Sequence, residues 1–193
     1  MTMIEEALPH VADDLDDLGA PWALVGGLAV CARAVPRPTA DIDVAIAVPD
    51  DATAQAQVDA LLAAGYRWRE SVVHDETGRL ATVRLESTAV REGVALDLFF
   101  ASSGVEDEVV GAAEPLEVLP GLTISVARLG HLIAVKFLWR PSEKRDRDLR
   151  TLIERADAED LEDARRLIGS ITQRGYHRGR DLRAALESRL GTA

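Results

Sequence analysis

The stretch Trp22–Val48, WALVGGLAVCARAVPRPTADIDVAIAV, decides how the rest of this 193-residue chain reads. It runs as a short apolar strand over Trp22–Val25, a Gly26-Gly27 turn, a small-residue helix, and a second strand carrying Asp41 and Asp43. Side chains alternate along a strand, so carboxylates two residues apart project to the same side and lie close enough to share a cation. A Gly-Gly turn lets backbone approach a ligand closely, and a helix beginning there aims its free N–H groups at an anion. Together these features describe a phosphate held beside a divalent metal.

Upstream of this stretch, Ile4, Leu8, Val11, Leu15 and Leu18 recur at spacings of three and four, which predicts an amphipathic helix over 3–18 with an acidic, solvated outer face. Downstream, Pro49-Asp50-Asp51 leads into a helix over roughly 51–64 that Gly65 ends. Tyr66–Val73 and Leu80–Ser87 are β-rich runs flanking His74-Asp75-Glu76-Thr77-Gly78, a hairpin pattern. A further strand, Val94–Phe100, carries Asp97 within the apolar run VALDLFF. An ionised carboxylate in such a run is costly unless it is paired or bound to metal. From the run alone, a metal ligand and a residue that faces solvent or meets an arginine are equal readings; beside Asp41 and Asp43 the metal reading gains.

Residues 101–120 read as an acidic loop with Pro115 and Pro120, and from Val126 onward the pattern is helical. Leu129, Ile133, Lys136, Phe137 and Trp139 form one periodic block that places Lys136 on or beside the apolar stripe. Such a lysine either finds a partner or packs its stem and sends its ammonium to water. Further helices are expected over roughly 144–156, 159–170 and 180–190.

The length fits one domain, or a core with an appendage, and the apolar fraction of 47% is ordinary. With 22 basic and 33 acidic residues the net charge is −11, which argues against a general nucleic-acid or anionic-membrane binder while leaving room for a local basic groove. Basic residues are in fact uneven: Arg128, Lys136, Arg140, Lys144, Arg145, Arg147 and Arg150 fall close together, and Arg174, His177, Arg178, Arg180 and Arg183 follow. These are either solvated helix faces or the place where an anionic substrate lies. The lone Cys31 is most simply a core residue. The acidic start and the lack of any long apolar run lead us to expect no signal peptide, no membrane span and a cytoplasmic location. No Ser–His–Asp or Cys–His set stands out.

The combination of Gly26-Gly27, Arg37-x-Thr39-x-Asp41-Ile42-Asp43, Asp97 in a late strand, and Lys136 in a helix followed by Arg145-Asp146-Arg147-Asp148-Leu149 resembles the nucleotidyltransferase superfamily. Within it, the chain resembles the AbiEii and MenT-type nucleotidyltransferase toxins of type IV toxin–antitoxin systems, over about residues 20–152. The resemblance implies an α+β architecture, a nucleotidyltransferase-fold mixed sheet flanked by helices (1–125) followed by a C-terminal helical bundle that closes a cleft (126–193). It implies that Asp41, Asp43 and Asp97 ligate Mg²⁺, with two ions where the full site forms, and that Lys136 holds the phosphates of a nucleoside triphosphate. Gly26, Gly27, Arg37 and Thr39 would complete the nucleotide site, with Asp146 or Asp148 as the late helical aspartate. Many members of the superfamily have Gly-Ser where this chain has Gly26-Gly27.

The chemistry that follows is transfer of a nucleoside monophosphate to an acceptor, with oxygen ligands holding the metal and Asp97 available as a general base. As in MenT-like toxins, the acceptor implied is RNA, foremost the tRNA 3′ end, reached through Arg128, Arg140, Lys144, Arg147, Arg178 and Arg180, with an antitoxin protein as partner. The alternatives are a small-molecule, aminoglycoside-like acceptor, which the acidity would suit, and a catalytically silent binding protein of the same fold.

Overall fold

A computed structural model describes residues 2–191. In chain order the elements are α1 (Met3–Asp17), β1 (Trp22–Leu24), α2 (Gly26–Arg33), β2 (Asp41–Ile46), α3 (Asp51–Ala63), β3 (Arg67–Val73), β4 (Leu80–Ser87), β5 (Val94–Phe99), α4 (Glu106–Gly111), β6 (Glu114–Leu119), β7 (Leu122–Val126), α5 (Leu129–Lys136), α6 (Glu143–Arg155), α7 (Ala158–Gln173) and α8 (Leu182–Leu190). The strands form one mixed sheet in the order β3-β4-β5-β2-β1-β7-β6. Its centre is the pair β2 and β5, which run parallel, while β1 lies antiparallel to β2 and parallel to β7.

Period-two alternation explains this centre. Ile42, Val44 and Ile46 of β2 and Leu96 and Leu98 of β5 are all at 0% exposure, so each strand commits one face to the core and turns its aspartates to the other. Helix α1 lies against β2 and β5, and its Ile4, Leu8, Val11 and Leu15 are buried as their spacing requires. Its start is fixed by a capping box in which the Thr2 hydroxyl accepts the Glu5 N–H and the Glu5 carboxylate accepts the Thr2 N–H. Truncating one of the fully buried branched residues, Ile42→Ala for instance, would cost about 2–5 kcal/mol.

The C-terminal helices begin on side-chain caps, Ser142 for α6, Asp157 for α7 and Asp181 for α8. Helix α5 packs against α7 so closely that a Cβ at Gly130 would stand 2.2 Å from the Asp160 carbonyl oxygen. That contact fixes the helix that carries Lys136.

One expectation is corrected. Residues 101–120 are not a loop: they hold α4, which buries Val109, and β6, which pairs antiparallel with β7. Pro115 sits within β6 because that strand is the sheet's outer edge, where a missing N–H is tolerated. Acidic residues and two prolines hid an edge strand and a one-and-a-half-turn helix from pattern reading.

Candidate active site

Asp43 of β2 stands opposite Asp97 of β5 in the parallel register, and Asp41 is two residues up the same face. Oxygens of the three carboxylates all lie within 4.8 Å of one another, the arrangement an oxygen-ligated divalent cation requires. The electrostatic state of the cluster supports this fit. Burial first, then the neighbouring Asp41 charge and further the Asp97 charge, push the Asp43 carboxyl up to about 6; the Gly27 N–H and Lys136 pull the other way without winning. Three clustered carboxylates with one guanidinium, that of Arg84 on Asp97, keep an excess of negative charge that a cation would relieve.

The Gly26-Gly27 turn is built against this cluster. Gly26 has φ +62°, and a Cβ there would lie 1.9 Å from Asp43 Oδ2, so both the backbone conformation and the space demand glycine. Gly27 donates its N–H to Asp43 Oδ2 at 3.2 Å, which directs an amide of the first turn of α2 at the carboxylate. Thr39 Oγ1 donates to Asp41 Oδ1 at 3.4 Å. The turn, Thr39 and the carboxylates thus form one contiguous surface.

Beside it lies a second charged group. The Asp148 carboxylate, 2% exposed, accepts two hydrogen bonds from the Arg37 guanidinium, Nε to Oδ1 at 2.7 Å and Nη2 to Oδ2 at 2.8 Å, and a third from Lys136 Nζ at 2.8 Å. Lys136 therefore does not send its ammonium to water; it reaches a buried partner. Its pKa is lowered by burial, against the pull of Asp148. Burial would raise the Asp148 carboxyl, but the hydrogen bonds from Arg37 and Lys136 hold it below its ordinary value. Asp146, by contrast, points to the opposite side of α6 and meets Arg189, away from the cleft.

Both groups line a cleft of about 770 Å³ that also takes in Gly26, Gly27, the β3–β4 hairpin and the start of α6. Its other wall carries carboxylates, Glu70, Asp75 and Glu76 from the hairpin and the buried Glu106, whose Oε1 accepts from Ser102 and Ser103. At its mouth, the Trp139 ring has the Arg178 guanidinium 4.4 Å from its centroid and that of Arg145 at 5.8 Å. Arg178 holds this place with φ 54°, the non-glycine position of positive φ among the described residues.

The basic residues expected to contact RNA are dispersed. Lys144 and Arg178 line the cleft. Arg128 is engaged with Glu114, Glu159 and Asp163, and Arg180 donates to the carbonyls of Phe137 and Trp139. Arg140 and Arg147 are exposed and outside the cleft lining.

Two functional side chains escaped the sequence reading. Arg84 of β4 lies opposite Asp97 and donates to both its oxygens at 2.6 Å. Trp139 was visible only as part of an apolar stripe. Arg84 was legible in principle, since Thr82, Arg84 and Glu86 alternate with buried Val83 and Leu85, but its partner is set by a register that no local pattern encodes.

The sheet order, the two-aspartate strand and the glycine turn define a nucleotidyltransferase fold, and known structures agree. The chain is similar to ANT(2″)-Ia in complex with adenylyl-2″-tobramycin, at 18% identity and TM-score 0.58 over 90% of this chain and 99% of that one. It is similar to an antigenic nucleotidyltransferase-like protein from Paracoccidioides brasiliensis, at 19% identity and TM-score 0.53 over 95% and 92% of the two chains. The lincosamide antibiotic adenylyltransferase LnuA, lincomycin-bound, aligns at 16% identity and TM-score 0.53 over 81% of this chain and 99% of its own. At these identities the likeness establishes the fold. No protein-family profile and no curated protein matches the sequence. No helix among the described residues is long and apolar enough to cross a membrane.

Proposed function

We propose that this chain is a Mg²⁺-dependent nucleotidyltransferase that moves a nucleoside monophosphate from a nucleoside triphosphate to a hydroxyl of a small, positively charged acceptor. The observation that carries the reading is the cluster of Asp41, Asp43 and Asp97 on the floor of a cleft that is basic on one side and acidic on the other. When bound there, the ion would neutralise the triphosphate and polarise the α-phosphate. The chain's own residues do the rest. Gly26 and Gly27 bring the start of α2 close against Asp43 and Thr39, so that its amides stand beside the triphosphate; Lys136, steadied by Asp148, supplies point charge; Asp97 takes the proton of the acceptor hydroxyl as the hydroxyl oxygen attacks the α-phosphorus and pyrophosphate leaves. Glu70, Asp75 and Glu76 favour a cationic acceptor over a polyanion, and they are part of the −11 net charge. Two proteins of similar fold, ANT(2″)-Ia and LnuA, are known with adenylyl-tobramycin and lincomycin bound.

Transfer to RNA, foremost the tRNA 3′ end, by a toxin held in check by an antitoxin is the second reading, and Lys144 and Arg178 at the cleft favour it. One experiment separates them: incubation with each labelled nucleoside triphosphate and Mg²⁺, once with total RNA and once with tobramycin as a cationic polyhydroxylated probe. Label on tobramycin supports the first reading and label on RNA the second. Transfer to neither, and to no other amine-bearing alcohol, would leave a binding protein of this fold.

A further inference from the structure

Four charged residues stand in one row across the sheet. Cross-strand partners place Glu70 of β3 opposite Arg84 of β4, Arg84 opposite Asp97 of β5, and Asp97 opposite Asp43 of β2. Read from the outer edge inward, the row is acid, base, acid, acid. The Arg84 guanidinium forks onto Asp97, with Nε to Oδ1 and Nη2 to Oδ2 both at 2.6 Å, while its Nη1 is 3.8 Å from Glu70 Oε1. Exposure rises along the row, with 9% for the Asp97 side chain, 40% for Arg84 and 63% for Glu70.

This geometry sets a conflict. A divalent cation bound by all three carboxylates needs a lone pair of Asp97 at about 2.0–2.6 Å. In the structure the guanidinium donates to both Asp97 oxygens and sets a positive charge against one edge of the carboxylate cluster. A lone pair remains on each Asp97 oxygen, so the competition is one of charge: the guanidinium and a divalent cation on one carboxylate repel each other, and Arg84 has somewhere to go, because directly opposed residues on neighbouring strands are about 4.5–5.5 Å apart. A side-chain rotation suffices.

We infer that Arg84 is a built-in competitor for the metal site, holding Asp97 until a divalent cation displaces it onto Glu70. Arg84 is then a positioning residue that acts through Asp97, and the row makes full metal ligation conditional on enough positive charge arriving to replace its own. The inference rests on the reading of the three carboxylates as a metal site.

Mn²⁺ binding to the nucleotide-free protein, measured by isothermal titration calorimetry at fixed ionic strength, tests it without any turnover. Arg84→Gln, half-exposed and so tolerated by the fold, should bind Mn²⁺ about tenfold or more tightly than wild type, because a unit charge a few ångströms away has been removed. Arg84→Lys keeps the charge, loses the fork, and should fall between. Glu70→Gln should weaken Mn²⁺ binding about fivefold in wild type and by less than about twofold in the Arg84→Gln background, since its effect runs through Arg84 beyond what its own charge contributes. Mn²⁺ affinity that is unchanged or weaker in Arg84→Gln overturns the competition, and equal effects of Glu70→Gln in both backgrounds overturn the transfer to Glu70. Failure of both wild type and Arg84→Gln to bind Mn²⁺ overturns the metal reading and this one with it. Binding by both at equal affinity overturns only the role of Arg84.

Discussion

Two charged clusters lie side by side in the cleft and are opposite in design. In one, Arg37 and Lys136 close on Asp148, three hydrogen bonds around a buried carboxylate, with side-chain exposures of 15%, 11% and 2%. In the other, three carboxylates face one another, and burial with mutual repulsion pushes Asp43 up to about 6. The first is complete in itself and ties the segment before β2 to α5 and α6. The second is left electrostatically unfinished by the protein. The first cluster holds two cations on one carboxylate and the second three carboxylates with Arg84 on one of them, so the excess of negative charge in the second is where a cation belongs.

The most severe test is Asp43→Ala. Transfer should fall at least about ten-thousandfold, about 5 kcal/mol in activation free energy, while melting in EDTA stays at or above wild type because a repelling charge has gone. Retained transfer, or a large drop in melting temperature, would erase the contrast between the clusters. Asp148→Ala should do the reverse and act on the fold: two buried cations lose their partner, costing about 3–5 kcal/mol and lowering the melting temperature by about 6–20 °C. A variant that melts like wild type would show that Arg37 and Lys136 find water instead.

A third test uses pH. A carboxyl whose pKa is raised on folding keeps its proton longer in the folded state, so its stabilising contribution is present below the unfolded value and is lost as pH rises from 3.8 through about 6. Metal-free protein should lose up to about 3 kcal/mol across that window from this group. Melts of wild type and Asp43→Asn in EDTA at the two ends of the window check it, since the asparagine variant should lack this component. The mildest test is Lys136→Met. Asp148 keeps both bonds from Arg37, so stability should drop by only about 1 kcal/mol, while single-turnover transfer slows about a hundredfold through loss of a phosphate-facing charge. Near-wild-type turnover would confine Lys136 to the structural cluster.

How much of this was legible before the structure depends on how local each signal was. Asp41 and Asp43 sit on one strand, and their shared face follows from alternation alone. Asp97 joined them because a carboxylate in VALDLFF demanded a partner, and both partners foreseen for such a residue, metal-site neighbours and an arginine, turn out to be beside it. The hairpin came from two β-rich runs and the turn between them, and α1 from its period. What stayed hidden was set by long-range register and by packing between distant segments. Arg37 meets Asp148 across 111 positions, and nothing at either place announces the other. For the same reason the choice between Asp146 and Asp148 could not be made from a motif, since it depends on which side of α6 turns inward. The basic residues between Arg128 and Arg150 looked like one cluster in sequence, but the fold separates them: Arg128 is taken up in ion pairs, Lys136 turns to Asp148, Lys144 lines the cleft, and Arg140 and Arg147 are exposed outside it.

Strand β3, which brings Glu70, Val72 and Val73 to the cleft, is exposed at every position, Trp68 at 55% among them, with β4 as its single neighbour in the sheet. A strand with one partner and no core of its own opens locally at far lower free energy than the β2–β5 centre, so its amides would exchange with solvent ahead of those around Asp43. The carboxylate cluster is therefore anchored in the middle of the sheet, while one wall of the cleft hangs from its loosest edge. Such a division lets that wall open and close without disturbing the spacing of Asp41, Asp43 and Asp97.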